Sequence, residues 1–306
     1  MNKPIARVAV LIGSVVFFSS PWVHGAFKDP LWSARVAALG GAATALDAGP
    51  VAAFYNPASA IAQEKKEVEF TYAKLFAGLD NVNLSLSELS YIHPLSGGNV
   101  LTAGWGSVNA SGLRREDTLA LGASHLFQDV KWIDKIAAGA TLRYLSQSYT
   151  LDQRTTNDPV FKDGSSQSDF ALDAHAFVPE VPYVPSLSAG LSIRSINQPN
   201  VGFSESDKLP LEVALGAHYR WRNVAFPLDL VFRKSSLTPQ LGVEALFFKD
   251  RLAVRGGTDT DQIGTGLGYK HDLGGNRALV FDYTFLWPLK LQDTSGSHRA
   301  TLGVRF

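Results

Sequence analysis

From about residue 66 to its last residue the chain repeats one pattern: apolar and polar side chains alternate with a period of two through segments mostly 9 to 13 residues long. Successive side chains of a strand point to opposite faces, so this alternation gives each strand one oily and one polar face. In residues 298–306, Ala300, Leu302, Val304 and Phe306 share one face, and Arg299, Thr301, Gly303 and Arg305 share the other. Residues 277–287 set Leu279, Phe281, Tyr283, Phe285 and Trp287 against Ala278, Val280, Asp282, Thr284 and Leu286. Residues 209–221 set Leu211, Val213, Leu215, Ala217, Tyr219 and Trp221 against Glu212, Ala214, Gly216, His218 and Arg220. The two aromatics at that strand's end suit an interfacial girdle.

A soluble β-sandwich predicts the same alternation, so segment length decides. Strands of soluble sheets cluster near about 5 to 6 residues, whereas tilted membrane strands need about 9 to 11. The segments fall at 66–77, 82–93, 99–109, 116–127, 134–149, 168–178, 186–196, 209–221, 224–235, 239–248, 251–258, 262–272, 277–287 and 297–306. Fourteen is an even number, as bacterial barrels have, and closure removes exposed sheet edges. A mean hydropathy of +0.02 agrees, because alternation averages the membrane face away. The expected fold is all-β: a transmembrane antiparallel β-barrel of about fourteen strands over residues 66–306. Residues 150–167 and 197–208 are the longest polar connections and are expected on the extracellular side.

Two further segments precede the strands. Residues 1–25 read as a secretory signal peptide, with Lys3 and Arg7, an apolar run Val8 to Phe18, and Val23-His24-Gly25 before a cleavage site. That run is too short for a membrane helix, and no later stretch is apolar for long enough. Residues 26–65 contain an Ala/Gly-rich stretch that ends in Phe54-Tyr55-Asn56-Pro57-Ala58. Asn-Pro favours a turn, and Pro suits the first turn of a short helix, where its missing N–H would be unpaired anyway. Small residues pack tightly against other backbone, so this segment is expected to be a plug inside the barrel.

Composition removes several function classes. The chain has no cysteine, which excludes thiolate metal sites and Cys nucleophiles. Its 28 basic and 28 acidic side chains form no long block of one sign, so nothing predicts capture of nucleic acid. The histidines lack ligand spacing and no phosphate loop is present, so neither a metal nor a cofactor is expected. Ser124-His125 are neighbours in a strand and face opposite sides, so they cannot form a nucleophile and base dyad; a lipid hydrolase is the least favoured reading and no enzyme is expected.

Both ends of the chain resemble a known group. Ala34-Arg35, Leu39-Gly40-Gly41-Ala42-Ala43-Thr44-Ala45, Asp47 and Ala53-Phe54-Tyr55-Asn56-Pro57-Ala58 resemble the N-terminal signature of FadL-like outer-membrane proteins, especially the PorV/PorQ-like branch. Arg255-Gly256-Gly257, Gly266-Leu267-Gly268-Tyr269, Phe281-Asp282-Tyr283-Thr284-Phe285 and Ser297 through Phe306 resemble that branch's closing strands. Ala48 and Ser59 depart from it, standing where an acid and a Gly are common. The resemblance implies a Gram-negative outer membrane and a barrel that passes or handles a hydrophobic small molecule, gated by a plug that includes Gly40, Gly41, Asp47, Phe54, Asn56, Pro57 and Ala58. The alternative it implies is a non-enzymatic component of type IX secretion or cell-surface attachment. Implied partners are outer-membrane lipid, the barrel-assembly machinery and either a hydrophobic small molecule or secretion-system proteins. In outer-membrane barrels resembling this one, Val304 and Phe306 of the closing strand would be the signal read by the assembly machinery.

With the polar face inward, the lumen is expected to include Asp173, His175, Glu212, His218, Arg220, Asp229, Arg233, Glu244, Arg255, Asp282, Arg299 and Arg305. Mixed signs on neighbouring strands predict pairs that brace the wall rather than an ion-selective ring, with Asp282 bound to Arg299 or Arg305. Gly264, Gly266 and Gly268 form a bare inward stripe, which often marks close approach of another backbone; it is expected to receive Asn56-Pro57-Ala58. Inward apolar candidates are few, namely Phe177, Leu246, Phe248 and Val231, which argues against a wide hydrophobic conduit. Leu39, Phe54 and Tyr55 of the plug are expected to line a small pocket.

Overall fold

A computed structural model describes residues 27–79, 83–153, 155–156 and 158–306. The signal-peptide segment lies outside the described residues. Fourteen strands close into a barrel in sequence order: β1 (Glu67–Leu75), β2 (Leu84–Leu95), β3 (Asn99–Ala110), β4 (Arg114–Val130), β5 (Asp134–Tyr149), β6 (Ser166–Val178), β7 (Leu187–Arg194), β8 (Glu212–Trp221), β9 (Val224–Arg233), β10 (Ser236–Phe247), β11 (Leu252–Thr258), β12 (Gln262–Gly274), β13 (Arg277–Pro288) and β14 (Ser297–Arg305). Every neighbour is antiparallel, and β14 closes the wall on β1 with Glu67 opposite Arg305 and Lys74 opposite His298. Each expected segment is a strand, because an oily face has lipid to meet and a polar face has the lumen.

The outer face carries the apolar residues of the alternation. Tyr72, Leu121, Phe170, Leu267, Phe281 and Leu302 are each about half exposed, a band that would be costly in water. Phe127, Trp132, Tyr183, Tyr219, Trp221, Phe248 and Phe306 cluster at the end of the barrel where β1 begins and β14 ends. This ring is an aromatic girdle, and the shorter turns beside it mark the periplasmic mouth. The connections of residues 150–165 and 195–211 lie at the opposite, extracellular mouth. Phe248, expected inward, sits in the turn between β10 and β11 at 75% exposure, since the strand ends one residue earlier.

Residues 27–66 run through the lumen from the extracellular to the periplasmic mouth. Ser33 caps helix α1 (Ala34–Ala38), its hydroxyl accepting from Val36 N–H. Gly40 and Gly41 stop that helix at φ +68° and +92°, a left-handed exit that suits glycine, and Gly41 N–H returns to Val36 O at 3.0 Å. A 3₁₀ turn at Gly49–Val51 leads into α2 (Ala52–Tyr55). Asn56 then caps a second 3₁₀ stretch, Pro57–Ala62, accepting from Ala58 N–H at 3.0 Å, with Pro57 in the first turn as the Asn-Pro motif predicts.

Candidate functional site

The lumenal segment is held by polar contacts to strands β4, β6, β7, β9, β10, β13 and β14. Ala34 N–H donates to Thr301 Oγ1 at 2.9 Å, and Thr284 Oγ1 donates to Ala34 O at 2.6 Å. The Asp229 carboxylate accepts from Ala43 N–H (2.9 Å) and Thr44 N–H (2.8 Å). Serine hydroxyls of the wall donate to its carbonyls: Ser124 to Pro57, Ser188 to Ala45 and Ser192 to Tyr55, at 2.9–3.1 Å. Asn56 Nδ2 bridges Thr44 O within the segment and Ala176 O of β6. Irregular backbone is tolerated at membrane depth only when satisfied inside protein, and these bonds satisfy it.

Glycines at inward positions let the segment lie against the wall. A Cβ on Gly190 would stand 2.1 Å from Thr44 O, one on Gly257 2.4 Å from Leu39 C, and one on Gly106 2.3 Å from the Trp32 ring. The stripe on β12 belongs to this set, but its occupant differs from expectation. Gly264 and Gly266 receive Ala37 and Ala38 of α1, whereas Asn56-Pro57-Ala58 lie against Gly122, Gly139 and Ala176 on β4 to β6. Periodicity set which face each glycine lies on; only the path of the segment decided what meets it.

Gly268 has another use, which also corrects the expected ion pair. Asp282 binds Arg255 of β11 (Nη1 to Oδ1, 2.5 Å), two strands away, rather than Arg299 or Arg305 of the adjacent strand. Gly268 stands opposite Asp282 and a Cβ there would fall 2.3 Å from Asp282 Oδ1, so the bare position lets the guanidinium cross β12. Arg299 faces Thr284 across the ladder and turns into the lumen, donating to Pro30 O at 2.9 Å. Arg305 pairs with Glu67 across the closing seam at 2.7 Å. The mixed charges do brace the wall: Arg143 binds Asp173, Arg194 binds Glu212, and Glu244 holds both Arg255 and the segment's own Arg35. Arg35 grips Glu244 with two bonds, Nε to Oε1 at 3.0 Å and Nη2 to Oε2 at 2.9 Å, and its Nη1 donates to Asp47 O. Asp47 in turn accepts from Gln63 Nε2, tying the exit of the segment to its middle.

Among the described residues a space opens at each mouth. The extracellular one, about 50 Å³, is floored by Trp32 and Phe54, stacked with centroids 4.8 Å apart, and walled by Phe27, Leu209, Pro210, Arg143, Arg194 and Arg233. Of the three plug residues expected to line a pocket only Phe54 does so. Leu39 is buried against Gly242 and Gly257, and the Tyr55 hydroxyl accepts from Trp32 N–H and donates to Asp29 Oδ1. The periplasmic cup, about 680 Å³, is lined by charged side chains including Arg35, Asp47, Lys65, Arg220, Arg277 and Arg305. The wall is joined least between β6 and β7, by the pairs from Ala174 with Ile193 to Val178 with Ala189. Above them the β6 edge is capped by the 195–211 connection, through Ile196 N–H to Leu172 O and Asn197 Nδ2 to Phe170 O.

Sequence reasoning missed the clasping serines and most of the glycines that receive the segment. Their signal was small or hydroxyl residues at inward parity, readable once a partner inside the lumen is assumed. In β14, Val304 faces out in the wall and Phe306, half exposed, follows the last strand residue in the periplasmic girdle.

A family model for the type IX secretion system membrane protein PorP/SprF matches residues 51–304. No curated protein sequence matches the chain. Among solved structures it is similar to the Ralstonia pickettii toluene transporter TbuX (TM-score 0.61, 12% identity, covering 90% of this chain and 98% of that one). It is also similar to a Pseudomonas aeruginosa FadL homologue (0.56, 11%, 90% and 98%) and to the Pseudomonas putida toluene transporter TodX (0.55, 10%, 90% and 96%). At these identities the structures show a shared fold. With most of its length matched by the family model, the chain belongs to the PorP/SprF family of type IX secretion system membrane proteins, and it is an outer-membrane β-barrel of FadL-like architecture.

Proposed function

We propose that this barrel passes or handles a small hydrophobic molecule, with residues 27–66 as a removable gate. The observation that carries the reading is the attachment of that segment: hydrogen bonds, the bidentate pair of Arg35 with Glu244 and the ion pair of Lys28 with Asp261 hold it, and it contributes no strand to the sheet. Such a seal can open without breaking the wall. The pocket at the extracellular mouth sits where a cargo from outside would first meet apolar side chains. Its 50 Å³ is well below the roughly 150 Å³ that accommodates a benzene ring, so Trp32 and Phe54 must move before an aromatic molecule enters. Arg194 and Ser195 place the pocket's side at the top of the short β6 and β7 pairing, which offers a sideways exit. The fold it shares with two toluene transporters supports this reading.

A second reading, a non-conducting component of type IX secretion, is favoured by the family match and by an inner wall that is polar and ionic. A hydrolase gains no support: Ser124 spends its hydroxyl on Pro57 O, and His125, on the other face, bonds Asn99. A deletion strain measured for toluene uptake and for released proteins separates the readings. Reduced uptake with a normal set of released proteins supports the gate, the reverse supports secretion, and normal values in both refute the two together.

A further inference from the structure

The periplasmic cup is a feature that gated passage does not use. Into it project Arg35, Lys65, Arg220, Lys270, Arg277 and Arg305, against three acids, Asp47, Glu64 and Asp272. Two of those acids are already engaged, and so are four of the cations: Arg35 is held by Glu244, Arg305 by Glu67 and Lys270 by Asp272, and Lys65 donates to Asn276 O. Asp47 accepts from Gln63, and Asp272 is shared by Arg251 and Lys270. Arg220 and Arg277 have no ion-pair partner among the described residues, and His218 Nε2 on the same wall is buried without a hydrogen bond. The chain as a whole carries equal numbers of basic and acidic side chains, so the excess positive charge at this mouth rests on Arg220 and Arg277, offset in part by Glu64. Barrel walls of low dielectric focus such a field toward the opening.

We propose that the cup is a docking site for an acidic polypeptide segment presented from the periplasm, with Arg220 and Arg277 as its principal contacts. This rests on the secretion reading for its biological partner. Size and place favour a peptide: about 680 Å³ holds a few side chains, and the cup opens along the barrel axis, away from the lipid-facing wall. Guanidinium groups grip carboxylates with two parallel bonds, which suits Asp and Glu side chains. Arg35 lines the cup while bonded to Asp47 O and Glu244, so an occupant would touch a residue that holds the lumenal segment in place.

The test uses the full barrel in nanodiscs and fluorescein-labelled hexaglutamate, hexaglutamine and hexalysine, followed by anisotropy. Hexaglutamate is expected to bind about tenfold or more tightly than hexaglutamine, and to weaken as salt rises from about 50 to about 300 mM, as screening requires. Arg220→Glu with Arg277→Glu should lower hexaglutamate affinity at least about tenfold while heat-modifiable folding stays intact. Competition by citrate at millimolar concentration identifies a free polyanion as the preferred occupant and overturns the peptide assignment, as does equal binding of hexaglutamate and hexaglutamine or unchanged binding by the variant. The secretion reading is judged separately on released proteins. Hexaglutamate binding lost in the variant with normal release leaves the docking site standing and removes its secretion role; no hexaglutamate binding, with release impaired in a deletion strain, does the opposite.

Discussion

The gate hypothesis is most exposed at Glu244. Its carboxylate, only 2% exposed, holds Arg35 of the lumenal segment through bonds of 3.0 and 2.9 Å and Arg255 of the wall at 2.6 Å. Charge-assisted hydrogen bonds contribute roughly 1.5–3 kcal/mol net. Arg35 keeps about a quarter of its side chain exposed, so solvent screening places the Arg35 to Glu244 grip near the low end, about 2 kcal/mol. Glu244→Ala should therefore shift the balance of seated and unseated segment by roughly 30-fold. Protease added to the barrel in nanodiscs reads that balance as cleavage within residues 34–62, because cleavage follows the open population when reclosing is fast. Efflux of a trapped small dye from vesicles should rise with it. Arg35→Met should behave alike, and the double variant should be no worse than Glu244→Ala alone if one interaction is responsible. Cleavage at the native rate in Glu244→Ala, or additive effects in the double variant, would refute the assignment of this pair as the hold on the segment.

Other consequences can be checked on the same preparation. Gly190→Ala puts a methyl carbon 2.1 Å from Thr44 O, backbone against backbone, so the barrel should remain heat-modifiable while the segment becomes accessible to protease; a variant as protected as the native chain would contradict the close approach. At the extracellular turn, burial raises the Asp261 carboxyl, but hydrogen bonds and charge from Lys28 and Lys290 outweigh it and hold the pKa at about 2. A depressed pKa stabilises above the unfolded value of 3.8 and is lost as pH falls through about 2, so the tie of Lys28 to the turn should persist at pH 5 and loosen between about 4 and 2, measured as protease access near Phe27. Loosening already at pH 6 would exclude this tie as the cause. Phe306→Ala should reduce assembly, and removal of residues 298–306 should leave β1 and β13 each with one unpaired edge and the chain misassembled in the periplasm; normal membrane assembly of the truncated chain would count against the closing seam.

Much of this protein was legible in its sequence because a membrane strand depends on short-range alternation. Leu302 and Phe281 had to face out, and Thr301 and Asp282 in, wherever their strands lay, since lipid and lumen impose opposite demands on successive residues. The Asn56-Pro57 turn was local as well, acting on backbone within a few residues of itself, whereas the Ser33 cap and the Gly40 and Gly41 exit emerged only with helix α1. The partners across space were not legible. Nothing near Asp282 in the chain indicates that its cation is Arg255, reached over Gly268 from two strands away, or that Arg299 turns from the adjacent acid to Pro30. The stripe of Gly264 and Gly266 was read as a place for close approach, yet only the route of residues 27–66 through the lumen put Ala37 and Ala38 there and sent Asn56-Pro57-Ala58 to β4, β5 and β6. Alternation fixes a face, which is a property of one strand. Register and the path of an irregular segment come from the closed barrel as a whole, where each side chain meets groups that the linear order keeps far away.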